Sequence, residues 1–390
     1  MKHMTKKIRF GLLLVLVILA LAGCRKSATN QNTNANAAAP GHEVPVGGAA
    51  PAGEKFFFRG TIANKLRIEM ALVREGERLN GNYFYPRVGK NINLNGTVDK
   101  NGNVELKETD EEGKDTGVFK GQWKPATNTP DTSLNQIEGK WARPDGSKET
   151  PFLVVQQPIQ FTGPVRVNPK VIKEANKEAH YTIDAEYPQI EGDARFEKFN
   201  REARAMIAKD VAAFKTSETA AEGDADAGTD APAETGDSTQ NIGYEIRLAT
   251  DDLISVQFTE DSYSRGAAHP NQLTSVLNYD VKNGKKLALA DLFNPKANYL
   301  SVISAYCTKD LKQQSQQSKD SMLSDDMIQS GASARADNYK AWAITKKGLW
   351  ITFDPYQVAA YAAGPQYVLV PYAALKDIVK PDGPLAGLAK

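Results

Sequence analysis

Histidine, tryptophan and cysteine are scarce in this 390-residue chain, which holds four, four and two of them. Only His180 and His269 lie in segments patterned like ordered structure, which leaves no histidine cluster for zinc and no His-Glu-x-x-His pair. A Gly-x-Ser-x-Gly elbow, a Gly-x4-Gly-Lys-Ser/Thr phosphate cradle and a Gly-x-Gly-x-x-Gly turn are missing as well. The expectation is therefore no catalytic residue, no metal ligand and no cofactor. Carboxylate pairs for glycoside cleavage are set by spacing in the fold, so a wall hydrolase stays open as an alternative. An excess of one charge is also lacking, with 48 Lys and Arg against 47 Asp and Glu. The totals imply no basic face, so nucleic acid is not an expected partner.

The chain has a single long apolar run, from Phe10 to Leu21. It is shorter than the roughly 20 residues a permanent spanning helix needs. Lys2, Lys6, Lys7 and Arg9 precede it without an acid, which is the n-region and h-region order of an export signal. Leu21-Ala22-Gly23-Cys24 then resembles the bacterial lipobox, where the chain is cut before the cysteine and the thiol carries fatty acid. The expectation is a signal over 1–23, lipidation at Cys24 and a membrane attachment through that lipid. Several acyl chains on one residue hold firmly, since each buried methylene adds about 0.8 kcal/mol. Arg25 stands where enterobacterial sorting would need Asp for retention, so the favoured place is the outer membrane facing the periplasm in a cell that has one. With Cys24 so used, Cys307 is left without a partner and no intrachain disulfide is expected. Removal of the signal leaves 44 bases against 47 acids. Residues 24–54 are rich in Asn, Ala, Gly and Pro and bury too little to offset ordering entropy. They read as a tether with a reach of roughly 30 Å.

From residue 55 to 157 the pattern is all β: short apolar alternations broken by Asn-Gly and Gly about every eight to twelve residues. Eight strands are expected, beginning at Phe56, Leu66, Leu79, Asn91, Val104, Val118, Gln136 and Thr150. Asn101-Gly102 suits a type I′ turn. Leu79-Asn-Gly81-Asn-Tyr83, Phe119-Lys-Gly121-Gln-Trp123 and Ile137-Glu-Gly139-Lys-Trp141 form an internal repeat, with Leu94-Asn-Gly96-Thr-Val98 as a weaker copy. Side chains two apart share a face, so each copy sets an apolar residue, a glycine and, in the three strong copies, an aromatic on one side. A meander with no helix sheds its edges best by closing into a small barrel. Tyr83, Trp123 and Trp141 either line a ligand cup there or fill the core.

Beyond Pro158 the pattern mixes strand and helix, which predicts an α+β domain. His180 to Pro188 alternates as a strand. Phe196, Phe199, Ala203, Met206, Ile207, Val211 and Phe214 then recur at helical spacing, after Asp193 as an N-cap. Residues 216–240 carry seven acids and no base, and are expected to be a disordered insert between 158–215 and 241–390. Later strands are expected at Tyr244, Ile254, Leu273, Lys286 to Leu289, Trp342, Leu349 and Gln366. A helix through Leu300, Ile303, Cys307 and Leu311 buries the thiol, and a closing helix runs from Tyr372 to Val379.

Gly266-Ala-Ala-His269-Pro270-Asn271, Asn278-Tyr279-Asp280 and Leu289-Ala-Asp291-Leu292-Phe293 resemble the extracytoplasmic domain of the lysozyme-sensing anti-sigma-V factor. So do Phe353-Asp354-Pro355-Tyr356, Tyr361-Ala-Ala-Gly364-Pro365 and Val370-Pro371-Tyr372. Residues 165 to 214 resemble the companion domain that precedes it there and in some peptidoglycan deacetylases. The resemblance implies an α+β fold outside the membrane that contacts lysozyme or the cell wall. The chain shows no cytoplasmic sigma-binding segment before a transmembrane helix and has an added β domain, so anti-sigma activity is not part of the expectation. A polar-aromatic contact surface is expected from Tyr263, His269, Asn271, Tyr356 and Tyr361, rings and amides that bind with little entropy loss. His269 can instead pin its own loop by a bond to backbone. The leading expectation is a non-enzymatic, surface-tethered envelope lipoprotein that binds lysozyme or peptidoglycan-related ligands through the second domain. A lipocalin-like carrier of a small apolar ligand is the alternative.

Overall fold

The computed structural model describes residues 53–127, 133–163, 165–223, 236–317 and 321–389. The export signal, Cys24 and all but the end of the expected tether lie outside the described residues.

Eight antiparallel strands follow one another: β1 (Glu54–Ile62), β2 (Leu66–Glu75), β3 (Arg78–Phe84), β4 (Asn91–Val98), β5 (Asn103–Thr109), β6 (Asp115–Pro125), β7 (Asn135–Ala142) and β8 (Thr150–Gln157). β8 pairs back onto β1, which closes the barrel and leaves no open edge. The repeat glycines make the closure possible. A Cβ on Gly81 would lie 2.0 Å from the Ala71 carbonyl oxygen, and one on Gly121 would lie 2.3 Å from that of Glu138. No side chain fits such an approach. The Asn101-Gly102 expectation needs correction. Gly102 alone has positive φ, and its N–H bonds the Asp99 carbonyl while the Asp99 carboxylate takes the Asn101 and Asn103 amides. This four-residue loop is built on a type I turn. Positive φ at both central residues occurs instead at Ala63-Asn64, between β1 and β2.

A short strand β9 (Ile159–Gln160) leads into β10 (Arg166–Asn176) and β11 (Tyr181–Glu191). Helix α1 (Glu197–Gly223) connects β11 to β12 (Ser238–Thr250), which lies parallel to it. Then come β13 (Leu253–Tyr263), β14 (Asn271–Asp280) and β15 (Lys285–Lys286). The sheet order is β10-β11-β12-β13-β14-β15, with β9 beside β12. Asp193 caps a 3-10 turn ahead of α1 by accepting the Arg195 N–H. The apolar stripe read at helical spacing is the core: Phe196, Phe199, Ala203, Ile207, Val211 and Phe214 are buried against Ile183, Ala185 and Tyr187 of the sheet.

The expected disordered insert over 216–240 is corrected at both ends. α1 continues through its first eight residues and β12 occupies its last three. Composition undercounted the local bonds there. Glu218 is buried and accepts from the Ser238 and Ser264 hydroxyls, and Thr216 and Thr219 bond back to carbonyls one turn earlier. Residues 224–235 lie outside the described residues. Segments expected on either side of the insert therefore build one sheet.

The remaining chain forms α2 (Tyr299–Gln317), α3 (Asp325–Gly331), a sheet of β16 (Trp342–Ile344), β17 (Gly348–Phe353) and β18 (Gln366–Pro371), and α4 (Tyr372–Leu375). Cys307 is fully buried with Ile303 and Leu311, and burial pushes its thiol far above the usual range. Of the expected strand Lys286 to Leu289 only Lys286 lies in a strand, β15, because the chain turns into a 3-10 segment at Leu289–Leu292. The closing helix ends at Leu375, where Val379 turns out to bridge Phe293. Two buried polar bonds tie the two sheets. Asn278 donates to the Trp342 carbonyl at 2.8 Å, and Ser255 accepts the Ile344 N–H at 2.8 Å while donating to Asn278.

Candidate functional site

Three of the five expected contact residues meet at the end of the β13–β14 hairpin. The rings of His269 and Tyr361 lie 4.0 Å apart at 30°, and Tyr356 lies 5.4 Å from Tyr361. His269 Nδ1 is 2.8 Å from the Pro270 carbonyl. That oxygen can only accept, so Nδ1 donates to it, and Nε2 lies 3.3 Å from the Tyr356 hydroxyl. The Tyr361 hydroxyl donates to the same carbonyl. His269 thus pins its own loop and also joins the aromatic face. Asn271 begins β14 beside Pro270 and pairs with Ser262, while Tyr263 ends β13 opposite Thr239. Neither joins the stacked rings.

Tyr356 stands out in its backbone. Gln357 N–H bonds the Asp354 carbonyl, closing a turn with Pro355 first and Tyr356 second, and Tyr356 has φ +70°. This is a type II turn, whose second position favours glycine or asparagine. A tyrosine there carries a penalty of roughly 1–2 kcal/mol. The residue is nonetheless 58% exposed, and its ring contacts are to the exposed His269 and to Tyr361.

Next to this face lies a cleft of about 230 Å³ lined by Asp210, Ile242, Phe258, Glu260, Leu273, Thr274, Ser275 and Asp354. Asp354 accepts the Thr274 N–H through Oδ2 at 3.2 Å, whereas its Oδ1 is buried with no hydrogen-bond partner. Burial pushes the Asp354 carboxyl above its usual value against the pull of that bond. Glu260 is raised by burial too, with Asp210 and Asp261 adding to the effect and Gln240 opposing it. Asp210 is raised by burial against the nearby Lys209 and Lys286. Three carboxylates and exposed Leu273 line a cleft that can accept hydroxyl or ammonium donors. Sequence reading singled out the rings, but not Asp210 or Glu260. Those come from α1 and β13, and only the fold brings them to Asp354.

The barrel aromatics sit differently. Trp123 packs edge-on to Phe56 and Phe58 at 4.9 and 5.2 Å, and Tyr83 packs edge-on to Phe119 at 5.4 Å. The Tyr83 hydroxyl and Trp141 Nε1 both donate to buried Glu108, at 2.8 and 2.7 Å. Tyr83, Phe119 and Trp123 belong with Leu72, Leu79, Leu94, Ile137 and Val154 to the buried barrel core, and Trp141 packs against it partly buried. A wider cleft of about 540 Å³ near the start of α1 mixes Arg195, Lys198, Arg201 and Lys282 with Glu197, Asp251 and Asp252, so its charges largely cancel. Among the described residues there is no group of three or more His, Cys, Asp or Glu placed to hold a metal ion, and no helix long and apolar enough to cross a membrane.

Comparison with known proteins matches two segments. Residues 174–272 match a family described as Deacetylase PdaC, and residues 290–373 match a protein family of unknown function, DUF3298. Peptidoglycan-N-acetylmuramic acid deacetylase PdaC of Bacillus subtilis (strain 168) is 30% identical over 140 residues, which is 36% of this chain. The chain spans only 29% of that relative's length. A DUF3298 structure from Bacteroides fragilis overlaps 59% of this chain and 99% of its own at 17% identity, with a TM-score of 0.43. One from Pseudomonas aeruginosa overlaps 56% and 96% at 16% identity, with a TM-score of 0.42. His269 and Asn271 fall in the first matched segment, and Asp354, Tyr356 and Tyr361 in the second. The rings and carboxylates meet where the two segments do.

Proposed function

We propose that this chain is a non-enzymatic envelope lipoprotein, held to a membrane by lipid on Cys24, whose second domain binds a peptidoglycan-related ligand at the ring face and acidic cleft. One observation carries the reading: Tyr356 is displayed to solvent from a backbone position that disfavours it, beside the rings of His269 and Tyr361. Backbone strain of this kind clusters at ligand clamps. Aromatic faces suit the apolar faces of sugar rings, and carboxylates suit their hydroxyls. Similarity to a peptidoglycan deacetylase over part of the chain supports a wall ligand. Lysozyme is a second partner, favoured by the anti-sigma-V resemblance and by the three carboxylates of the cleft, which complement a cationic protein.

Co-sedimentation with purified peptidoglycan and pull-down with lysozyme test this, using the exported chain and a His269→Ala, Tyr361→Ala double variant. Retention of the parent and loss in a folded variant are expected. Equal retention of both would remove the rings from the site, and release of sugar or acetate would overturn the non-enzymatic reading. Mass analysis of the native N-terminus tests Cys24: an unacylated chain still starting at Met1 would remove the anchor.

A further inference from the structure

The barrel and the sheet belong to one compact unit and meet through charge. Arg59 of β1 donates to the Tyr244 carbonyl at 2.6 Å and to Glu186 of β11 at 2.5 Å, and its guanidinium lies 3.8 Å over the Tyr244 ring. Glu186 is 0% exposed and also pairs with Arg67 of β2 at 2.7 Å. Glu69, directly across the β1–β2 ladder from Arg59, sits 3.1 Å from its Nε. That contact lacks hydrogen-bond alignment, so the buried Glu69 Oε1 has no hydrogen-bond donor. Phe57 packs beside this cluster against the core of the second domain, and Arg87 pairs with Asp184 further along β11.

We propose that the seat of the barrel on the sheet is a protonation-sensitive joint, in which Glu69 tightens docking in mildly acid surroundings and loosens it as the medium turns alkaline. The groups around its carboxyl are Arg59 on β1, Arg67 on its own strand, Glu186 on β11 and Tyr244 on β12, while its β3 neighbour is Phe84. Glu245 of β12 acts on the shared Arg59. Burial raises the Glu69 carboxyl from 4.5 to about 7, with Glu186 adding to the effect and Arg59 opposing it. The docked arrangement therefore takes up a proton that a separated, hydrated Glu69 would release. The added stability is complete below 4.5 and is lost as pH rises through about 7. Such a shift corresponds to a change on the order of a hundred-fold in the docking equilibrium.

Amide hydrogen exchange of the exported chain from pH 5 to 9, corrected for intrinsic exchange, tests the joint. Protection of β2 and β11 relative to β4 and β5 should fall by up to about a hundred-fold above neutrality. In Glu69→Gln, which keeps the shape and removes the charge, the ratio should stay high and flat. A flat ratio in the parent, or the same step in Glu69→Gln, overturns the proposal. A carbon-13 titration of the parent's Glu69 carboxyl needs no variant: a midpoint near 7 supports the joint, and one near 4.5 excludes it.

Discussion

Under the proposed function, Tyr356 serves binding and not stability. Glycine at that φ relieves the left-handed penalty but loses the ring contact with Tyr361 and adds freedom to the unfolded chain. Tyr356→Gly should therefore leave stability within about 1 kcal/mol of the parent in urea denaturation. Retention on peptidoglycan should fall sharply in the same variant, and a large loss of stability with unchanged retention would mean the ring serves the fold. Asn278 is the opposite case. It belongs to the same sequence signature, yet it is buried and spans the two sheets. Asn278→Ala strands the Trp342 carbonyl and the Ser255 hydroxyl, and should cost about 1–3 kcal/mol while a folded fraction still binds. The signature holds both kinds of residue, since spacing alone does not tell a buried amide from an exposed ring.

Strands and helices differ in how plainly their sequences announce them. The barrel was legible because its repeat sets glycine and large apolar residues on one face. The same geometry predicts that Gly81→Ala, whose Cβ would meet the Ala71 oxygen at 2.0 Å, costs about 1–3 kcal/mol. Gly243→Ala in β12, with nothing within 4 Å, should be neutral or slightly stabilising in the same thermal melts. α1 was legible from its buried stripe. β10 was not, because Pro169 and a sparse apolar pattern hide it. An edge strand pairs on one side only and tolerates proline, and β10 is such an edge. The acidic stretch after Lys215 is ordered for a different reason: composition weighs burial, whereas that last part of α1 is held by hydroxyl bonds one turn back and by the Glu218 carboxylate reaching Ser238 and Ser264.

Across the whole molecule, the proposed site draws Asp210 from α1, Glu260 and His269 from the β13–β14 hairpin, and Asp354, Tyr356 and Tyr361 from the segment between β17 and β18, so it can form only once that domain is folded. Asp210 and Glu260 could not be assigned from the linear chain, since nothing but the sheet and α1 brings them beside Asp354. Their raised carboxyls set the sign of a pH effect. If the ionised forms accept hydroxyl or ammonium donors, ligand retention should decline with acidification at a pH above the ordinary carboxylate range. Binding curves at several pH values check this, and retention unchanged into strong acid would mean the carboxylates are bystanders. The most direct measurement of the proposed site is a hydrogen-exchange footprint of the chain from residue 24 onward with soluble peptidoglycan fragments. Added protection is expected at Asn271 to Ser275 and Asp354 to Tyr361, with the barrel unchanged. Protection confined to the barrel, or none at a concentration where fragments co-elute with the protein, would contradict the placement of the ligand.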